Sequence, residues 1–261
     1  MRNLWAIYRK EMGHYFVSPV AYILIGVFLA LSAVFFILFL QSAVQQQQQA
    51  AFEGMQMGMM QGFDVPSMVV RGIFGVLSTF ALFFTPLLTM GVYAEERKRG
   101  TMELLMTSPI SDLQIVLGKY LASLSLWIIM WLPTVFGLIY MFVHSEPTPP
   151  WKMLLASYTG VLLLGGAFLA LGTFISSLTE NQLIAAVVTF TAFLALWIVD
   201  AGANADGGFG TVRQYLSVIH RYDDFVRGVL DTSALIYYLS FIAFFVFLTV
   251  RSVDSMRWRR A

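Results

Sequence analysis

The sequence predicts an all-α protein that crosses a membrane several times. Three observations predict it. Of the 261 residues, 58% are hydrophobic and only 12% charged, where a soluble domain carries about a quarter charged residues. The apolar residues gather in runs long enough to cross a bilayer, which takes about 20 residues per helix. The interruptions between runs carry capping, proline and glycine signals of the kind that separate helices rather than strands. The chain contains no cysteine, so disulfides and thiolate metal sites are excluded.

Residues 2–16 place Leu4, Tyr8, Met12 and Tyr15 on one side and Arg2, Arg9, Lys10 and His14 on the other. This predicts an N-terminal amphipathic helix (1–18) in the headgroup layer. Pro19 marks the bend into a first span over 20–40, too long for a signal-peptide core and read as an uncleaved anchor. Residues 41–68 read as an outer loop with a glutamine run (Gln45–Gln49) and Met55, Met57, Met59 and Met60. Those thioethers suit Cu(I), but with no histidine or cysteine nearby a low-complexity loop with some helix is the preferred reading. A second span follows over 69–93, with Pro86 expected to kink it.

The polar stretch 94–114 organises the rest. Glu95, Glu96, Arg97, Lys98 and Arg99 run together, Gly100-Thr101 restarts the chain, and MELLM makes a short helix ended by Ser108-Pro109. Ser111 with Gln114 reads as a capping box opening the third span, 115–143. A fourth span over 153–178 carries Gly165, Gly166, Ala170 and Gly172, small residues that permit close helix packing. Ser177 to Glu180 reads as a second capping box before a fifth span over 182–199. Glycines then break the chain, and 200–232 reads as an outer segment whose residues 211–231 have helical spacing. A sixth span over 233–250 and a basic tail over 251–261 complete one transmembrane domain, residues 1–261.

Six spans put both termini on one side. Eleven of the sixteen lysines and arginines fall on that side and five on the other, so the positive-inside rule places the termini, 94–114 and the 177–182 turn in the cytoplasm. The expected spans hold almost no ionisable residue in their interiors, Arg71 and Asp200 lying at edges; that argues against a self-powered secondary transporter. No P-loop, zinc-protease or nucleophile-elbow motif occurs, so neither an enzyme activity nor a metal site is expected.

The stretch EERKRGTMELLMTSPISDLQIVLGKY (95–120) resembles the segment between the second and third spans of ABC-2 type transporter permeases. The matching features are Glu95 and Glu96, Gly100-Thr101, Leu104-Leu105, Ser108-Pro109 and Gly118-Lys119. SLTENQ (177–182) is similar to that family's second cytoplasmic turn, and HRYDDFVRGVLD (220–231) resembles its outer amphipathic segment. Within the family the chain looks most like the gliding-motility and nitrous-oxide-reductase maturation branch. The resemblance implies an exporter of the cytoplasmic membrane built as a dimer with a second permease copy or paralogue. Two separate ATPase subunits, docking against the coupling helix and the N-terminal interfacial helix, would carry ATP and Mg²⁺; this chain would bind no cofactor, and nucleic acid is not a partner. An auxiliary membrane subunit with an extracytoplasmic domain is implied by the gliding-type branch. A motor-docking face is expected at Glu95, Glu96, Gly100, Thr101, Glu103, Leu104, Leu105, Met106, Ser108 and Pro109, with Glu95, Glu96 and Glu103 pairing with basic motor residues. The second turn contributes Ser177, Thr179, Glu180 and Asn181, and Tyr222, Asp224, Phe225, Arg227 and Gly228 are expected to form an outer gate, the other reading of 211–231 being an interfacial helix that merely seals the dimer. The alternative is a non-transporting scaffold or anchor on the same fold.

Overall fold

The computed structural model describes residues 2–57, 64–145, 148–201 and 217–258. Its helices are α1 (Arg2–Val17), α2 (Pro19–Met57), α3 (Val65–Thr89), α4 (Ala94–Lys98), α5 (Thr101–Met106), α6 (Asp112–Trp131), α7 (Thr134–His144), α8 (Trp151–Leu178), α9 (Gln182–Ala201), α10 (Val218–Val226) and α11 (Thr232–Trp258); no strand occurs among the described residues. Five stretches, Pro19–Phe52, Val65–Lys98, Asp112–His144, Trp151–Leu178 and Thr232–Met256, are long and apolar enough to cross a membrane. A further apolar helix, Gln182–Ile198 within α9, is shorter.

The centre of the bundle is α8, packed by α3, α6, α9, α10 and α11. Its small residues make this possible. A side chain at Gly165 would collide with the indole of Trp127, which packs against α8 and donates from Nε1 to the Val161 carbonyl at 3.2 Å. Lipid tails are as apolar as leucine, so such close contact, rather than water exclusion, holds membrane helices together. Where α2, α3 and α6 meet, Phe28, Phe74 and Trp131 form an aromatic cluster with ring centroids 5.2 and 5.7 Å apart. The outward faces stay apolar and exposed, as at Ile23, Val34, Leu183, Val187, Leu239 and Phe247.

Several expected boundaries change. The 41–68 loop is helical for much of its length: α2 runs on to Met57. Glutamine, alanine and methionine are good helix formers and no proline intervenes before Pro66. At 39 residues α2 is about 58 Å long, roughly twice a bilayer's hydrocarbon thickness. Met55 and Met57 sit in its last turn, while Met59 and Met60 lie outside the described residues. The second helix starts earlier than expected, at Val65, because Asp64 caps it by accepting from Ser67 N at 3.2 Å. Pro86 stands inside α3, which ends three residues on at Thr89; the Thr85 and Thr89 hydroxyls donate to the Ala81 and Thr85 carbonyls beside it. The expected span 115–143 falls in one membrane-long stretch, Asp112–His144, that is divided into two helices. Pro133 has no N–H to give, and Thr134 Oγ1 donates to the Trp131 carbonyl at 2.7 Å at the junction.

Ser111 occupies the cap position of α6 but makes no side-chain cap bond, so the expected capping box is not formed. The second box fails too. Asn181 caps α9, its Oδ1 accepting from Leu183 N at 2.9 Å and Ile184 N at 3.4 Å, while Ser177 belongs to the end of α8. The tail beyond 250 is helical to Trp258 as part of α11. Of the outer segment, 202–216 lies outside the described residues, with Val212, Tyr215 and Leu216 of the expected helical face.

Replacing Gly165 by valine drives a branched side chain into Trp127. The expected result is a loss of roughly 2–3 kcal/mol of stability, read as a lower melting temperature in detergent by tryptophan fluorescence. An unchanged transition would mean that the Trp127–α8 contact is not what fixes these helices.

Candidate functional site

One end of the bundle gathers the polar residues. It holds α1, the α3 end, α4, α5, the 178–182 turn and the last turns of α11, and it is built around the reversal after α3. Ser176 of α8 stitches that reversal: its Oγ donates to the Met90 carbonyl at 3.1 Å and accepts from Tyr93 N at 3.1 Å and Ala94 N at 3.3 Å. Residues 90–94 are thereby fixed to the central helix, and α4 leaves at a set angle.

Each charge of α4 then has a different task. Arg97 reaches to the α8–α9 turn, donating to the Ser177 carbonyl at 2.8 Å and pairing with Glu180 at 3.0 Å. Glu95 pairs with Arg99 one turn on. Glu96 points into the chain, its carboxylate meeting Lys10 at 2.6 Å and Lys119 at 2.9 Å. The expected role of Glu96, pairing with a basic residue of another subunit, therefore does not fit its placement: both oxygens are engaged within the chain. Burial alone would raise the Glu96 carboxyl, but Lys119 and Lys10 outweigh it and hold the group below the usual carboxylate range.

Gly100 joins α4 to α5 in the left-handed region, at φ 70°, where a residue with a side chain is strained. The Thr101 hydroxyl donates back to the Glu96 carbonyl at 3.3 Å, closing the junction. In α5, Met102 is buried and Leu105 and Met106 pack half-buried on the chain's own core. The leucine-methionine face expected to be free is thus partly turned inward, because a six-residue helix lying on a bundle needs an apolar underside. The side chain of Leu104 is outside the described residues, and Glu103 is on the exposed side. Ser108 Oγ donates to the Leu105 carbonyl at 2.6 Å, ending the helix before exposed Pro109. Between α5, the α8 end and α11 lies a cleft of about 420 Å³ lined by Arg97, Glu103, Met106, Glu180, Ser252 and Met256. Ser177 Oγ donates to Ser252 Oγ at 2.8 Å on its wall. In the turn itself Thr179 Oγ1 accepts from Asn181 N at 3.2 Å.

Sequence reasoning named Lys119 only as part of a family motif and missed that it is buried, 1% exposed, with Glu11, 8% exposed, as its partner. Lys119 lies inside the expected third span, contrary to the reading that the span interiors are nearly free of ionisable groups. A lone lysine in an apolar helix, with a lone glutamate on the half-apolar α1, was the available signal.

The outer set sits at the other end. Tyr222 and Phe225 are buried on α10: the Tyr222 hydroxyl donates to the Phe74 carbonyl at 3.0 Å and Ser157 Oγ to the Phe225 carbonyl at 3.4 Å. Gly228, at φ 86°, turns the chain over Met153. Arg227 pairs with Asp223 on the exposed side, and Asp224 is half-buried. No cluster of histidine, cysteine, aspartate or glutamate suited to a metal ion occurs among the described residues.

The fold and this polar end define a multi-pass helical membrane protein whose chain-reversing segments converge on one side of the bundle. Residues 5–248 match the family model of the ABC-2 family transporter proteins, and the chain belongs to that family. It is the membrane component of a transporter rather than a catalyst, and membership implies an ABC ATPase as partner. No curated protein matches the chain.

The Glu96 pairing has a pH signature. Its folded pKa is lowered, so the stability it contributes is present above the unfolded carboxylate value of about 4.3 and is lost as pH falls through the folded value. The melting temperature in detergent is expected to fall on acidification through that window, and Glu96→Gln is expected to flatten the fall. An identical acid profile in the variant would remove Glu96 from the network.

Proposed function

We propose that this chain is the permease subunit of an ABC exporter in the cytoplasmic membrane, and that a separate ATPase docks where α4 and α5 reach the bundle surface. The reading rests above all on one observation: α5 is a six-residue helix joined to α4, which is itself tied to the α8–α9 turn by Arg97. Its left-handed Gly100 junction, the Arg97 bridge to Ser177 and Glu180, and its buried Met102 leave it little freedom to move alone. A push on α5 is therefore passed to the helices. Glu103, Thr107 and Pro109 on the exposed side, with the neighbouring cleft, are the docking contacts in this reading.

In the same reading α9 counts as a sixth span, both termini lie in the cytoplasm, and the excess of lysine and arginine on that side supports the orientation. Two copies, or this chain and a paralogue, pair through exposed apolar helix faces, and each recruits one ATPase that binds ATP and Mg²⁺. The gliding-motility and nitrous-oxide-reductase maturation branch, with an auxiliary extracytoplasmic subunit, rests on sequence resemblance. The outer gate at Tyr222, Asp224, Phe225, Arg227 and Gly228 has a different footing from that first supposed. The hydrogen bonds from Tyr222 and Ser157 make α10 a seated wedge, so its opening requires them to break together.

The test is purification of the tagged protein from native membranes with identification of what it retains. A stoichiometric P-loop ATPase is expected. Glu103→Lys with Thr107→Arg, both at exposed positions, is expected to weaken its retention at least tenfold, about 1.4 kcal/mol. Absence of any ATPase would sink the exporter reading, and unchanged retention by the double variant would sink the docking face.

A further inference from the structure

The far half of α2 has no assigned role. The apolar run ends at Leu40, so residues 41–57 carry the helix on for about 25 Å beyond the hydrocarbon. One face of α2 belongs to the bundle: Leu24, Phe28, Ser32 and Ala43 are buried, and Gly72 of α3 comes up against the Phe39 ring. The opposite face carries Val34, Ile37, Gln41, Val44, Gln48 and Ala51, and every one of them is exposed. Their spacing alternates between three and four, the a/d rhythm of a heptad. That rhythm begins inside the apolar run, where Val20, Ile23, Val27 and Ala30 hold the same places and are exposed too. A seam sustained from residue 20 to residue 51 is the pattern of a coiled coil.

Within the hydrocarbon an exposed apolar face is solvated by lipid and needs no partner. Beyond Leu40 the surrounding medium is water, and there Val44 (38% exposed) and Phe52 (66%) stay uncovered. The seam suits a copy of itself. From Val20 to Phe52 there is no charged residue, so two copies meet without repulsion. Its polar members, Gln41 and Gln48, are amides that both donate and accept, so each can bond to its own counterpart. Val34, Gln41 and Gln48 take the a positions, where a β-branched residue favours two strands and a polar one fixes register. Two copies inserted in the same orientation are related by an axis along the membrane normal. Their α2 helices then run parallel, and like residues come together.

We propose that the outer half of α2, residues 34–51, is the interaction surface for a second copy of this chain, the two helices forming a parallel, in-register coiled coil that continues beyond the bilayer. Val34, Ile37, Val44 and Ala51 supply its apolar contacts, and Gln41 and Gln48 are amide rungs between them. Gln47 and Phe52 occupy the flanking g and e positions, so the stem of Gln47 in one copy covers the Phe52 ring of the other. The glutamine run is thereby the seam and flank of a helix pair rather than a spacer. This inference rests on the pairing of two copies proposed above and names its surface.

The chain has no cysteine, so single-cysteine variants of the full protein report contacts directly when native membranes are oxidised with copper phenanthroline. Gln41→Cys, Val44→Cys, Gln48→Cys and Ala51→Cys are expected to form about fivefold more disulfide-linked dimer than Gln46→Cys and Gln49→Cys, which are exposed but off the seam. Adding Gln41→Glu with Gln48→Glu is expected to abolish cross-linking at Val44→Cys. Co-expression with a copy carrying Gln41→Lys, Gln48→Lys and Val44→Cys is expected to restore it, a rescue that misfolding does not allow. Equal cross-linking on and off the seam overturns this surface. So does the lack of any cross-link in a protein that native mass spectrometry shows as two copies, and the pairing of copies then stands without it. A native mass of one copy overturns both readings, and a cross-linked product containing a different protein overturns the second copy as the occupant.

Discussion

An ammonium group removed from water needs an acceptor for each of its three protons and a compensating charge nearby. Lys119 obtains two hydrogen bonds, from Glu11 and the Val92 carbonyl, and a second compensating charge from Glu96, and the polar end of the molecule is arranged to provide them. The reversal after α3 must bring the Val92 carbonyl to α6, α4 must turn Glu96 inward, and α1 must lie close enough for Glu11 to reach. Removing one partner leaves the others buried and unmatched, so the position of each segment depends on the rest. Ser176 provides the same kind of restraint from the α8 side, with one hydroxyl serving three backbone groups of the reversal.

The two ends of the bundle use different means. At the charged end, ion pairs and side-chain-to-backbone bonds join short helices that could not hold their shape alone. At the other end α10 is held by aromatic burial, with Phe225 fitted against Gly160 and Tyr222 bonded to α3. Between them runs α8, whose small residues admit Trp127 and Phe225 to its surface. A rigid central helix in contact with both ends is a physical route by which movement at one is felt at the other. That route suits an ABC-2 family transporter protein.

The placement of charge on α4 shows how adjacent residues acquire different work. Glu95, Glu96, Arg97 and Arg99 look alike as a run, but the helical turn sends Glu95 to Arg99, Glu96 to the core and Arg97 to the neighbouring turn. A solvated charge block and a structural junction are indistinguishable until the helix directions are known.

Length and composition by themselves determined the membrane class and most of the long helices, because a bilayer imposes a long apolar run wherever a helix crosses it. The proline and glycine positions likewise marked breaks: Pro133 divides α6 from α7, and Gly100 divides α4 from α5. The motifs around 95–120 and 177–182 carried the family. What only the tertiary structure decided lies where local signals compete. Helix-forming Gln and Met residues extended α2 through the expected loop, Asn181 rather than Ser177 capped α9, and a basic tail became the last turns of α11. The Lys119 cluster was hidden for a deeper reason. Glu11, Val92, Glu96 and Lys119 are joined by no periodicity, since their proximity follows from how α1, α4 and α6 cross, and a crossing is a property of packed surfaces rather than of any one stretch of chain.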